Sequence, residues 1–383
     1  MTCWRNGKLG DVLTLQRGFD LPATARREGQ IPVVSSSGIT GSHDEAKAKA
    51  PGVVIGRYGT LGEVHFITSD YWPLNTSLYV KDFKGNDPRY CAYLLKTISV
   101  TGTSTAAAVP GVNRNVLHEL PVKYPKLVGQ RRIASILGAY DDLMEVSRRR
   151  IAVLEEMARR LFEERIIRSI GQLPEPGGAS HGVTLAEGWR IESLARVAQI
   201  TMGQSPSSSE LNKDGLGFVF HQGVSDFGAL FPGRRVFCEQ VGGKRIGEEG
   251  DILFSVRAPV GRINCATEKT VLGRGLASIR HREGHQAYLL MQLRALFHKT
   301  DLIGNGSIYK AVNRADVERI PIIVAPSNLQ SKLNAQLSDL LKLVRSLSSA
   351  IIRLESSRDL LLPRLISGSL SVSVAERELE AVA

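Results

Sequence analysis

The strongest constraint on this chain is a heptad seam that it carries twice, in the same phase, 200 residues apart. The first copy spans about residues 130–168. Its seam is Ile133, Leu137, Tyr140, Met144, Ile151, Leu154, Ala158 and Leu161, with Ser147 as a polar break. The second spans about residues 330–362 and reads Leu333, Leu337, Leu340, Val344, Leu347, Ile351, Leu354 and Leu361, with Arg358 opposite Ala158. Steps that alternate between four and three put all of these on one narrow helical face. A stripe this narrow buries little by itself and needs a facing helix of the same repeat, which the chain supplies. The pattern predicts two long antiparallel helices forming an intramolecular coiled coil, each about 50–60 Å long at 1.5 Å per residue. Two unrelated surface helices would not agree position by position. Pro363 predicts a stop or a kink at the end of the second copy.

The stretches outside the helices repeat more loosely. Asn113-Arg114 and Leu120-Pro121 precede the first helix as Asn313-Arg314 and Ile320-Pro321 precede the second. Strands are predicted at 31–34, 52–56 and 63–67, the last two as a hairpin, with a helix at 90–96. In the other copy, 189–194 answers the opening at 8–12, and Gly203-Gln204-Ser205-Pro206 answers the turn at Gly18. The strand at 250–255 answers 52–56, Arg257-Ala258-Pro259-Val260-Gly261 answers 57–62, and 287–290 answers 92–95. Residues 101–107 and 304–307 are polar, small-residue loops. Glycine and proline between 171 and 188 predict a linker. The expected fold class is α+β: two mixed globular domains, 1–128 and 189–326, with spacer helices at 129–170 and 327–367, a linker at 171–188 and a short frayed tail at 368–383.

Composition narrows the function. With 49 Lys and Arg against 38 Asp and Glu, the formal charge is +11, which suits a polyanionic partner such as nucleic acid. No apolar run approaches the roughly 20 residues of a membrane span, and no apolar segment follows Met1, so neither membrane insertion nor a signal peptide is expected. Cys3, Cys91, Cys238 and Cys265 are scattered, as suits reduced thiols in a cytoplasmic protein.

Catalytic patterns are missing. Gly242-Gly243-Lys244 lacks the earlier glycine of a phosphate loop, and Arg245 stands where Ser or Thr would hold magnesium. His281 and His285 would share a helical face, but no third ligand is near. Ser35–Ser37 and Ser207–Ser209 have no base in view. No Asn-Pro-Pro-Tyr-like tetrapeptide is present.

With this arrangement, and with Gly-Gln-Arg-Arg-Ile-Ala-Ser-Ile-Leu at 129–137, Ile-Ala-Val-Leu-Glu at 151–155 and Arg-Asp-Leu-Leu-Leu-Pro-Arg-Leu-Ile-Ser-Gly at 358–368, the chain resembles the specificity subunit of type I restriction-modification enzymes over nearly its whole length. It departs where the family often has Glu-Gln at the start of each helix: here the pairs are Gly129-Gln130 and Leu329-Gln330. The resemblance implies that each globular part reads one half of a split, asymmetric sequence in double-stranded DNA. It implies that the paired helices fix the gap and dock two methyltransferase subunits and, in the full complex, two translocating restriction subunits. S-adenosylmethionine, ATP and magnesium then belong to those partners, and this chain is not an enzyme. Alternatives are a specificity subunit of a methylation-only or Type IIB-like system, and a coiled-coil scaffold without base readout.

A reader of DNA holds phosphates for register and presents side chains to base edges. The candidates in the first domain are Arg57, Tyr58, Asn75, Ser104, Thr105, Asn113 and Arg114. In the second they are Arg257, Arg262, Arg274, Ser307, Tyr309, Lys310, Asn313 and Arg314. Arginine pairs with guanine, and asparagine with adenine. Two domains that read different half-sites should differ where they read bases. The recurring Asn-Arg pairs therefore suit a helix cap or a phosphate contact better, and Arg57 and Arg257 meet the same objection. Ser307, Tyr309 and Lys310 differ from Ser104, Thr105 and Ala106 and are better placed to carry specificity.

Overall fold

The computed structural model describes residues 4–98, 112–174, 185–240, 242–302 and 312–380. The chain divides into two compact units: unit 1 is 1–147 with 350–383, and unit 2 is 148–349. The division passes through both long helices rather than around them.

In unit 1 the opening strand Trp4–Lys8 pairs antiparallel with Pro121–Pro125. A four-stranded antiparallel sheet follows, in the order Thr14–Arg17, Ser77–Asp82, Gly52–Gly56, Val64–Ile67. Its buried strand Gly52–Gly56 serves two cores by simple alternation. Val53 and Ile55 face the helix Pro88–Thr97, while Val54 packs with Tyr71 and Tyr79. That helix begins as the sequence asks: Asp87 caps the Tyr90 N–H at 2.9 Å and Pro88 occupies the first turn. A three-stranded sheet, Gly38–His43, Ile31–Ser35 and Trp72–Pro73, completes the unit, its last pairing parallel.

Unit 2 repeats the plan. Arg190–Ser193 pairs with Pro321–Val324. The four-stranded sheet runs Ala198–Met202, Leu276–His281, Ile252–Ser255, Ile263–Cys265, the same order as in unit 1. Ile252 and Phe254 enter one core and Leu253 another. The second sheet has five strands, with Phe218–His221 parallel to Thr270–Leu272. The fold is therefore α+β, as the sequence predicts.

The long helices are Leu127–Phe162 and Ser327–Ser367. Within unit 1, Ile133, Leu137 and Tyr140 share a core with Leu361, Leu365 and Ile366. Within unit 2, Ile151 and Leu154 share one with Leu341 and Val344, and Ala158 and Phe162 share another with Leu333 and Leu337. Rising numbers on one helix meet falling numbers on the other, so the helices are antiparallel. Both polar breaks are satisfied. The Ser147 hydroxyl donates to the Leu143 carbonyl at 2.7 Å, and the Arg358 guanidinium meets Asp141 at 2.7 Å, a carboxylate that also accepts from the Tyr93 hydroxyl at 2.5 Å.

Three expectations change. The first seam ends on Phe162 rather than Leu161: Ala158, Phe162, Ile166 and Ile170 are buried at steps of four, which a π-turn at Glu163–Ile167 accommodates. Pro363 does not stop the second helix, which runs on to Ser367 because Leu365 and Ile366 bury in the core beyond it. Gly368, at φ +77°, ends it instead. The tail is not frayed over its described part: Val372–Glu380 is a helix whose Val372 and Ala375 are buried, and Arg132 Nε bonds Glu376 at 2.9 Å.

Gln130 explains why the first long helix starts where it does. Its buried amide accepts from the Asp87 N–H at 2.9 Å and donates to Asn86 Oδ1 at 2.7 Å and to the Pro125 carbonyl at 2.9 Å. Gln130→Leu leaves all three partners unsatisfied and is expected to cost about 2–4 kcal/mol, read as a lower urea midpoint by circular dichroism.

Candidate nucleic-acid interface

In each unit the polar candidates gather where the central hairpin meets two neighbouring loops. In unit 1, Arg57 and Tyr58 follow the strand Gly52–Gly56, and both backbone N–H groups donate to the Thr76 carbonyl, at 3.1 and 3.2 Å. The Arg57 guanidinium lies 4.6 Å from the centre of the Tyr58 ring. Asn75 is adjacent. Its N–H donates to the Phe19 carbonyl at 3.0 Å and its side-chain amide donates to Asp20. The Val112 N–H donates to the Arg57 carbonyl at 3.1 Å, which starts the segment bearing Asn113 and Arg114 at the same place.

Unit 2 builds the same frame. The Val312 N–H donates to the Val256 carbonyl at 3.1 Å, and the Val256 N–H donates to the Gly275 carbonyl at 2.9 Å. Gly261 N–H to Ser255 O, 3.0 Å, matches Gly62 N–H to Gly56 O, 3.1 Å. The opening turn presses on the loop in both units, and only glycine permits this. A Cβ on Gly18 would lie 2.2 Å from the Leu74 carbonyl oxygen, and one on Gly203 would lie 2.1 Å from that of Gly273.

These bonds correct the sequence pairing. Arg57 corresponds to Val256, and Arg257 stands in the place of Tyr58. The numbering offset is 199 through Ser77 and Leu276 and becomes 200 at Val112 and Val312, because unit 2 has one more residue in between. Arg57 and Arg257 are therefore not a shared pair. Arg274 stands in the place of Asn75.

Arg257 and Arg274 are exposed and line a cleft of about 470 Å³ together with Gln222, Gly223, Val224, Ala258 and Gly275. Gln222 is a residue that the sequence reading passes over. It is exposed at the end of the strand Phe218–His221, and a single polar residue after an apolar run carries no local signal. The Ser205 hydroxyl ties the cleft together. It donates to Gln222 Oε1 at 3.1 Å and accepts the Arg274 N–H at 3.3 Å. Arg262 closes the same hairpin loop on its other side: its N–H donates to the Ser255 hydroxyl at 2.8 Å and its carbonyl accepts the Ser255 N–H at 2.9 Å.

The recurring Asn-Arg pairs have structural work. Asn113 caps a short helix through the Asn115 N–H at 2.9 Å, and Asn313 caps its counterpart through the Asp316 N–H at 3.0 Å. Arg314 pairs with Glu318 at 2.6 Å, while Arg114 is exposed. Ser104, Thr105, Ser307, Tyr309 and Lys310 lie outside the described residues.

The catalytic look-alikes also have structural partners. Lys244 is held by Glu210 at 2.7 Å, and this ammonium together with the Ser207 hydroxyl holds the Glu210 carboxyl far below its ordinary range, to about 2. His281 ends a strand and His285 precedes the next helix, so they do not share a helical face. Burial first, and His285 second, push the His281 imidazole down to about 4. No group of three His, Cys, Asp or Glu side chains is placed to hold a metal among the described residues. No helix among them is long and apolar enough to cross a membrane.

The model of the type I restriction modification DNA specificity domain matches residues 1–156 and, a second time, residues 186–355. The chain belongs to this family. Its function is that of a type I restriction-modification specificity subunit, with two target-recognition domains. Among relatives, the chain named as the MjaX type I restriction enzyme specificity subunit of Methanocaldococcus jannaschii is 28% identical over 306 residues, covering 75% of this chain and 69% of that one. The MjaIX specificity subunit of the same organism is 23% identical over 304 residues, covering 74% and 69%. The crystal structure of a type I restriction-modification S subunit from M. genitalium covers 95% of this chain and 96% of that one, with a TM-score of 0.67 at 15% identity, and so shares the fold.

Proposed function

We propose that this specificity subunit reads a split, asymmetric DNA target with one half-site for each unit, does no chemistry itself, and docks two methyltransferase subunits on its long helices. In the full complex it would also carry two restriction subunits. The observation behind the split target is that one hydrogen-bonded frame, built twice, presents different side chains at matching places: Tyr58 against Arg257, and Asn75 against Arg274. A protein that only held phosphates would have no reason to differ there. Docking is supported by outward apolar side chains on the first long helix within each unit: Leu143 and Val146 in unit 1 are 50% and 43% exposed, and Val153 and Met157 in unit 2 are 60% and 50% exposed. S-adenosylmethionine, ATP and magnesium are assigned to the partners.

The test is a single-molecule methylation map of host DNA with this gene intact and with it deleted, the methyltransferase gene being present in both. The expected result is loss of one bipartite motif on deletion. An unchanged map in a strain that expresses both proteins would favour a scaffold without base readout.

A further inference from the structure

Given a DNA-reading function, the matched frames separate residues that read bases from residues that hold the backbone. Phosphates are the same in every sequence, so two repeats of one frame have reason to keep a phosphate contact. Base edges differ between half-sites, so readers must differ. Matching by hydrogen bonds rather than by sequence identity gives three positions that share a backbone environment and differ in chemistry. Gly273 N–H to His221 O at 2.8 Å matches Leu74 N–H to Val34 O at 2.8 Å, which places Gln222 opposite Ser35. The other two are Arg257 opposite Tyr58 and Arg274 opposite Asn75.

We infer that the Gln222, Arg257 and Arg274 cleft is the base-reading pocket of unit 2, that Arg274 and Arg257 select guanine and Gln222 selects adenine in its half-site, and that Arg274 against Asn75 is a specificity-determining pair. The chemistry follows from the groups. A guanidinium fork matches the O6 and N7 acceptors of guanine, and a carboxamide matches the donor and acceptor of adenine. The cleft is arranged for this. Gly273 and Gly275 let the loop lie against the strand end: a Cβ on either would come within 2.7 Å of Gln222 backbone atoms, at Cα for Gly273 and O for Gly275. The Ser205 hydroxyl bonds the Gln222 amide and the Arg274 backbone N–H at once, so the Gln222 side chain and the Arg274 backbone start from set positions. In unit 1, Ser35 is buried and donates to the Gly38 carbonyl at 3.2 Å within its own turn, which leaves Asn75 to read there without a carboxamide at the Ser35 position. The Asn75 amide is itself oriented by Asp20.

The test uses the complete methylating complex and the motif found by the methylation map; if deletion of the gene removes no motif, the functional reading fails before this one is reached. Binding is measured to the matched duplex and to a panel in which each base pair of the two half-sites is changed singly. Wild type is compared with Arg274→Asn, which installs the unit 1 residue. The expected result is loss of a guanine preference, about tenfold to a hundredfold, at one position of one half-site, with every other preference kept. Arg257→Tyr should do the same at a second position. If Arg274→Asn weakens all duplexes by one factor and keeps every preference, the residue holds a phosphate and the inference is overturned. Should binding be too weak to measure, lower salt restores the phosphate-driven part. A variant that then shows no preference at any position has lost the shape of the cleft, which overturns it as well.

Discussion

Removing one heptad from each long helix, residues 146–152 and 346–352 together, is expected to shorten the non-specific gap of the methylated motif and to leave both half-sites unchanged. Seven helical residues rise about 10.5 Å, which equals about 3 base pairs of B-DNA at 3.4 Å each. Both copies must be cut, because the seam pairs rising against falling numbers and a single cut, though it keeps the phase, would leave the helices unequal in length and shift every contact beyond it by one heptad. Each stretch contains the change from one unit to the other and lies wholly within a long helix, so each recognition unit keeps its own sheets and loops. A methylation map of cells carrying the double deletion reads the result directly. A change in the bases of either half-site would show that the helices do not set the gap.

Val153→Glu combined with Met157→Glu is expected to abolish methylation at all sites while the subunit still folds. The side chains lie four residues apart on one face of the first long helix, are 60% and 50% exposed and belong to no core cluster, so unit 2 keeps its core when they change. Two charges placed on the proposed docking surface should weaken association by a hundredfold or more. Co-purification with a tagged methyltransferase subunit measures this, and an unchanged urea midpoint of the variant alone checks the fold. Retained co-purification would move the docking surface elsewhere on the chain.

Much of the frame is legible in the sequence because it rests on periodicity. The seam from Ile133 to Ala158 is read correctly since its apolar positions follow burial, Ser147 being the one polar break, and Val53, Val54 and Ile55 are read as a strand because a short apolar run between glycines is buried on both faces. The misreadings fall where one physical term overrides another. At Pro363 the lost N–H argues for a stop, but the burial of Leu365 and Ile366 outweighs it. At the end of the first copy, the regular three-four alternation names Leu161, while the π-turn selects Phe162. The site was less legible. Identity of residue type paired Arg57 with Arg257, although hydrogen bonds fix the register one residue away. Gln222 gave no signal because its importance lies in a contact with Ser205, 17 residues distant.

Unit 1 is assembled from two separate stretches of the chain, and the strand Trp4–Lys8 meets the end of the second long helix. The Cβ that Gly368 lacks would fall 2.7 Å from the indole of Trp4, so the final turn rests on the first strand. Unit 1 therefore closes its core with residues that follow unit 2 in the chain: Leu365, Ile366 and Leu370 are buried together with Leu9, Leu13 and Leu15. A ribosome must finish unit 2 before unit 1 has all of its core residues.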